Sequence, residues 1–167
     1  PMKAVALEHY LPVDDPNAVL SGFANPKMGE WIDVAISADL EGQGATDVTA
    51  PHRNGPRLEK AEGGTYLRPT VVHCESIDHP LSNREFLCPY ASVVEVPQAE
   101  MLGSIGPTLV VTAITQNESF KKELLRASNV ERLNIGPIST MKISWDQPHE
   151  GNMFEFLYKR RSIGVAA

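Results

Sequence analysis

Positive charge is scarce in this sequence: 15 Lys and Arg stand against 21 Asp and Glu, for a net charge of −6 and an isoelectric point near 5.3. Neutralising phosphates takes clustered cations, so a nucleic-acid surface is excluded. The one basic run, Lys159-Arg160-Arg161, is too short to build one. Cysteine is rarer still. Two thiols, Cys74 and Cys88, in 167 residues exclude a disulfide framework, which a chain of this size does not need, and point to free thiols in a reducing cytoplasm. No apolar run approaches the roughly 20 residues that span a bilayer. The stretch "PMKAVALEHYLP" has no apolar core followed by a small-residue cleavage site, so it does not read as an export signal. GxGxxG, P-loop and GxSxG motifs are missing, which removes the commonest phosphate cradles and the nucleophile elbow.

What is present suits an α/β fold. With 42% hydrophobic and 22% charged residues, the chain has enough apolar surface for a sizeable core, and 1–167 reads as a single domain. Asn25-Pro26 offers a cap and a first-turn proline for a helix whose apolar residues Met28, Trp31, Ile32, Ala35 and Ile36 recur at helical spacing, ending near Gly42 or Gly44. "PHRNGPRLEKAEGG" has the makings of a surface turn or hairpin tip. Three β-branched runs follow, in "YLRPTVVHCES", "YASVVEV" and "TLVVTAIT". Their continuous apolar character suits a parallel sheet covered on both faces. "PQAEMLGSIG" predicts a short helix. Asn117 predicts the cap of another, with Phe120, Leu124 and Ala127 on one face, and "VERLNIG" returns as a strand to complete a βαβ unit.

Few residues here suggest chemistry on their own. His73, Cys74, His79 and Cys88 match no CxxC or HxxxH spacing, so no metal site is read from them. Alternation along a strand puts His73 and Cys74 on opposite faces, which is poor geometry for an activated thiol. Asp146, His149 and Glu150 in "WDQPHEGN" combine carboxylate and imidazole, but a loop held by turns and caps is the commoner arrangement and the favoured reading. Glu85 is the remaining oddity. It stands in "NREFLCPYASVVEV" at the start of what otherwise reads as a buried strand.

Taken together, the segments resemble the C-terminal half of the catalytic domain of the aldehyde dehydrogenase superfamily. "GGTYLRPTVV" is similar to that family's glycine, aromatic and Pro-Thr-Val pattern, and "SNREFLCPYASVVEV" to its Glu-Glu-hydrophobic-Phe-Gly-Pro motif followed by a strand. "GPTLVVTAITQNESFKKELLRASNVERLNIG" matches its strand, capped helix and strand, and the helix through Trp31 and Ile36 followed by Gly44-Ala45 resembles the element before them. The resemblance runs over about residues 12–138 and rests on motif order rather than on any single motif. Residues 139–167 form a divergent tail. Arg84, Leu87 and Cys88 depart from the family's usual acidic residue, phenylalanine and glycine.

The resemblance implies a three-layer βαβ fold with a mostly parallel sheet, and a use for Glu85: binding the ribose of the nicotinamide half of NAD or NADP, with Leu87 as apolar contact beside it. It also implies that the nucleophilic cysteine and the glutamate base lie upstream of the Glu85 motif. The chain is therefore expected to be a fragment or subunit of an enzyme oxidising an aldehyde to a carboxylic acid, inactive alone, and either homo-oligomeric or completed by a partner chain. The alternative from a different class is a non-catalytic interaction module that kept the fold. In either case the aromatic tail must pack against something. If it packs between subunits, Phe154→Asp shifts the mass in solution toward monomer; light scattering showing an unaltered oligomer sinks that idea.

Overall fold

The computed structural model describes residues 2–7, 11–12, 14–61, 64–142 and 157. Asp146, His149, Glu150, Phe154 and the basic run at 159–161 lie outside the described residues. The chain divides into two compact units, Pro1–Val96 and Pro97–Ala167, each with its own apolar core.

In the first unit a short helix α1 (Met2–Ala6) precedes the long helix α2 (Pro26–Leu40). Asn25 opens α2 as its sequence suggests: its side chain accepts a hydrogen bond from the Lys27 amide at 3.1 Å, and Pro26 has no amide to satisfy. The buried face differs from the expected stripe. Gly29, Ile32 and Ile36 face inward, whereas Met28 and Trp31 are 42% and 58% exposed. Gly29 is the cause, because a Cβ there would sit 3.0 Å from the Phe23 ring and from Thr65 Cγ2. The helix approaches its neighbours on the glycine side, and that rotation turns Met28 and Trp31 outward.

Among the described residues the strands of this unit are β1 (Ala45–Asp47), β2 (Leu58–Ala61), β3 (Gly64–Leu67), β4 (Thr70–Cys74) and β5 (Tyr90–Val94), with a 3-10 turn at Ala50–His52. β2 and β3 form an antiparallel hairpin with Leu58 opposite Leu67. β1, β4 and β5 form a sheet in that order, antiparallel at Thr46 and His73 and parallel at Val72 and Ser92. "YLRPTVVHC" reads as one run, yet it is two strands, broken at Arg68-Pro69. The Arg68 amide bonds to Arg57 of the hairpin at 2.9 Å and the Thr70 amide to Pro89 of the sheet at 2.9 Å. Pro69 has no amide and marks the change of partner. Ile32, Ile36, Leu67, Val72, Cys74, Leu81 and Phe86 fill the core.

The second unit holds α3 (Met101–Ile105), β6 (Thr108–Ala113), α4 (Glu118–Arg126) and β7 (Val130–Ile135). Asn117 caps α4 through the amides of Ser119 and Phe120, at 3.0 and 3.2 Å. Phe120 and Leu124 pack on Ala113, and β6 runs parallel to β7 with Val111 opposite Leu133. This is the βαβ unit read from the sequence. The chain is α/β, but among the described residues its four strand pairings divide evenly between parallel and antiparallel. The strands are not covered on both faces within their own units either: Val93 is 48% and Leu109 50% exposed.

Ile36→Ala should destabilise the first unit by about 2–5 kcal/mol, because it empties a closed site. Trp31→Ala should cost less than about 1 kcal/mol in the same denaturant titration. Equal losses would contradict the observed helix face.

Candidate functional site

Glu85 lies in the connection between β4 and β5, and that connection is held by side chains. Leu81 is fully buried, and its amide donates to His79 Nδ1 at 3.1 Å. The Ser82 hydroxyl reaches the carbonyls of Ile77 and His79. From β5, the Tyr90 hydroxyl donates to the Leu81 carbonyl at 2.7 Å and the Ser92 hydroxyl to the Ser82 carbonyl at 2.7 Å. The turn is thus latched to the strand that follows it. Desolvation pushes the Tyr90 phenol up to about 12, with the nearby Cys74 and Asp39 adding to it and Arg84 opposing, so the hydroxyl stays a donor.

Beyond the latch, Arg84 pairs with Asp39 of α2 and its guanidinium lies 5.3 Å from the centroid of the Phe86 ring. Phe86 in turn meets Tyr90 edge to face, centroids 5.0 Å apart. The Cys88 amide donates to the Phe86 carbonyl at 2.8 Å, closing a three-residue turn with Leu87 at its apex. Phe86 points into the core. Glu85 and Leu87 on either side of it are exposed, Leu87 by 83%. A carboxylate and an isobutyl group therefore both face solvent on the same turn, one able to accept hydroxyl hydrogen bonds and the other to offer apolar contact.

Neither cysteine is equipped for nucleophilic work. Cys74 is fully buried, and burial pushes its thiol pKa up. His79, not His73, is the imidazole beside it: Nδ1 lies 3.8 Å from the sulfur but already accepts from Leu81. Burial also raises Cys88, against a smaller opposing pull from Arg57. Among the described residues no group of three or more His, Cys, Asp or Glu is placed to hold a metal ion, and no helix is long and apolar enough to cross a membrane.

One buried polar cluster escaped the sequence reading. Asp47 Oδ1 accepts from the amides of Thr49 and Ala50, both at 3.0 Å, and from the Thr49 hydroxyl at 2.6 Å, while Oδ2 pairs with Arg53. Burial alone would raise the Asp47 carboxyl, but the hydrogen bonds from Thr49 and Arg53 and the Arg53 charge outweigh it and hold it below its ordinary value. Arg53 NH1 continues to the Pro69 carbonyl at 3.3 Å. The Asp-x-Thr spacing in "TDVTAPHR" is the available signal, since Asp commonly bonds the amide two residues on. This cluster ties β1 to the start of β4 and leaves no carboxylate oxygen for chemistry. In the second unit an open hollow of about 410 Å³, lined by Pro107, Thr108, Leu109, Ser128, Asn129 and Glu131, sits at the amino ends of β6 and β7. Open α/β sheets bind ligands at the opposite, carboxyl ends.

The fold has counterparts among solved structures. Lactaldehyde dehydrogenase from Escherichia coli superposes with a TM-score of 0.66 at 14% identity, over 89% of this chain and 30% of the enzyme. The fold is that of an aldehyde dehydrogenase segment. An aldehyde dehydrogenase of Burkholderia cenocepacia matches with a TM-score of 0.66 at 14% identity, over 90% of this chain and 30% of its own. An indole-3-acetaldehyde dehydrogenase complexed with NAD+ matches with a TM-score of 0.61 at 20% identity, over 82% of this chain and 27% of its own. This chain therefore spans less than a third of these aldehyde dehydrogenases, and at such identities the likeness is one of fold. No family profile and no curated protein sequence matches it.

The latch carries a pH signature. The folded state keeps the Tyr90 proton up to about 12, whereas the unfolded chain releases it at its ordinary value of 10.0. The stability Tyr90 contributes is thus complete below pH 10 and lost as pH rises through that window. Tyr90→Phe should cost about 1 kcal/mol at neutral pH, and its deficit against wild type should shrink between pH 10 and 12 in denaturant titrations. A deficit independent of pH would contradict the buried donor.

Proposed function

We propose that this chain is a segment, or a separately made subunit, of an NAD(P)-dependent aldehyde dehydrogenase that oxidises an aldehyde to a carboxylic acid in the cytoplasm. The observation that carries the reading is the loop of Glu85, Phe86 and Leu87: a buried aromatic anchor is flanked in the chain by an exposed carboxylate and an exposed apolar side chain. Fold likeness supports it, since similar structures include one complexed with NAD+ and a 3,6-anhydro-L-galactose dehydrogenase in complex with NAP. The donor set also fits the cofactor. A ribose presents vicinal hydroxyls, and one carboxylate accepts from both at once. In the proposed pocket Glu85 holds the ribose and Leu87 flanks the nicotinamide, while the cofactor when bound supplies the hydride acceptor.

The thiol chemistry belongs elsewhere in the enzyme. Attack on an aldehyde needs an accessible thiolate, and Cys74 is closed to solvent with a raised pKa. The reading therefore assigns this segment one wall of the nicotinamide pocket and assigns the nucleophile to the remainder of the enzyme.

In the complete enzyme, Glu85→Gln should weaken NAD(P) binding roughly 10- to 100-fold, as expected for losing charge-assisted hydrogen bonds. The melting temperature should stay within about 2 °C, because the side chain is exposed. Titration calorimetry and thermal unfolding together check this. Unchanged affinity with a large loss of stability would make Glu85 a structural partner instead.

A further inference from the structure

The face of α2 that points away from the core is apolar in its middle and charged at its ends. Lys27, Trp31, Val34, Ala38 and Glu41 are all exposed, Trp31 by 58% and Val34 by 65%. They follow one another at intervals of four, three, four and three residues, which is the spacing of a heptad seam, so they form one stripe along the helix.

The end charges run against the helix's own dipole. A helix favours anions in its first turn and cations in its last. α2 has no acidic residue in its first turn and no basic residue in its last; it has Lys27 at the start and Glu41 at the C-cap. An antiparallel neighbour of the same sequence reverses both penalties. Lys27 then meets the other copy's Glu41 at the carbonyl end of its helix, and Glu41 meets the other's Lys27 at the amide end. Trp31 falls over the small Ala38 of the other copy, and Val34 lies near the two-fold axis. Each contact made once is made twice by the symmetry.

We propose that α2 is a self-complementary docking surface, on which two copies of this chain pair antiparallel through Lys27, Trp31, Val34, Ala38 and Glu41. One helix against one helix buries less than the roughly 1,200–2,000 Å² of stable interfaces, so the dimer is weak and forms with rising concentration. This surface lies on a different element from the Glu85 loop and does not depend on the proposed activity.

Sedimentation equilibrium of the 167-residue chain over a wide concentration range tests it. The mass should rise from 18.3 kDa toward twice that value. Lys27→Glu should weaken the dimer roughly tenfold, since two attractive pairs become repulsive, and adding Glu41→Lys should bring it back to within about threefold of wild type. Trp31→Ser should abolish the dimer while leaving the far-ultraviolet circular dichroism unchanged. A chain that stays monomeric throughout overturns the proposal. So does a dimer indifferent to Trp31→Ser, or a double charge swap that fails to restore association, which would give this face to some other partner.

Discussion

Two hydroxyl groups on one strand hold the turn that precedes it, and the candidate site depends on that connection. Tyr90 and Ser92 donate to the carbonyls of Leu81 and Ser82. Without them those carbonyls would be left poorly satisfied, at a cost of about 1–3 kcal/mol each if they stayed buried. Leu81 is thereby pinned in the core of the first unit. Phe86 is drawn in by the same ring, meeting Tyr90 edge to face. The backbone between these anchors has little freedom left, which is why Glu85 and Leu87 face outward. Preorganisation of this kind lets a short loop present two groups to a ligand at small entropic cost.

Much of the fold was legible because it is written in local chemistry. Asn25 and Asn117 announce helix starts, since a side-chain oxygen beside orphan amides means the same thing in any fold. The βαβ unit of the second half follows from apolar runs at the right intervals. Other features are not local. The face that α2 buries is decided by Gly29, whose missing Cβ admits Phe23 and Thr65, and spacing alone cannot say which of two apolar stripes will face the core. The break at Arg68-Pro69 is similar: a continuous β-branched run conceals a change of sheet, and only the change of hydrogen-bond partners reveals it.

The candidate site was suggested by one residue, and its supporting contacts were not readable from the sequence. Glu85 stood out as a lone acid in an apolar run, and the family resemblance gave it a use. Tyr90 with Leu81, Cys74 with His79, and Arg53 with Asp47 and Pro69 are contacts between side chains and groups that the fold brings together. No periodicity encodes them. They also mark polar groups that the fold already uses. Asp47 spends both oxygens holding β1 to β4, and Cys74 is closed off, whereas the Glu85 carboxylate is exposed.

The uncovered strand surfaces at Val93 and Leu109 fit a segment that spans less than a third of the aldehyde dehydrogenases it resembles. Parallel pairs are ordinarily buried on both faces. Hydrogen exchange of residues 83–89 in the complete polypeptide, with and without NAD+ or NADP+, tests the central claim most directly. The account predicts nucleotide-dependent slowing concentrated in that loop. Exchange there that ignores both nucleotides, while they protect other parts of the same polypeptide, would contradict it.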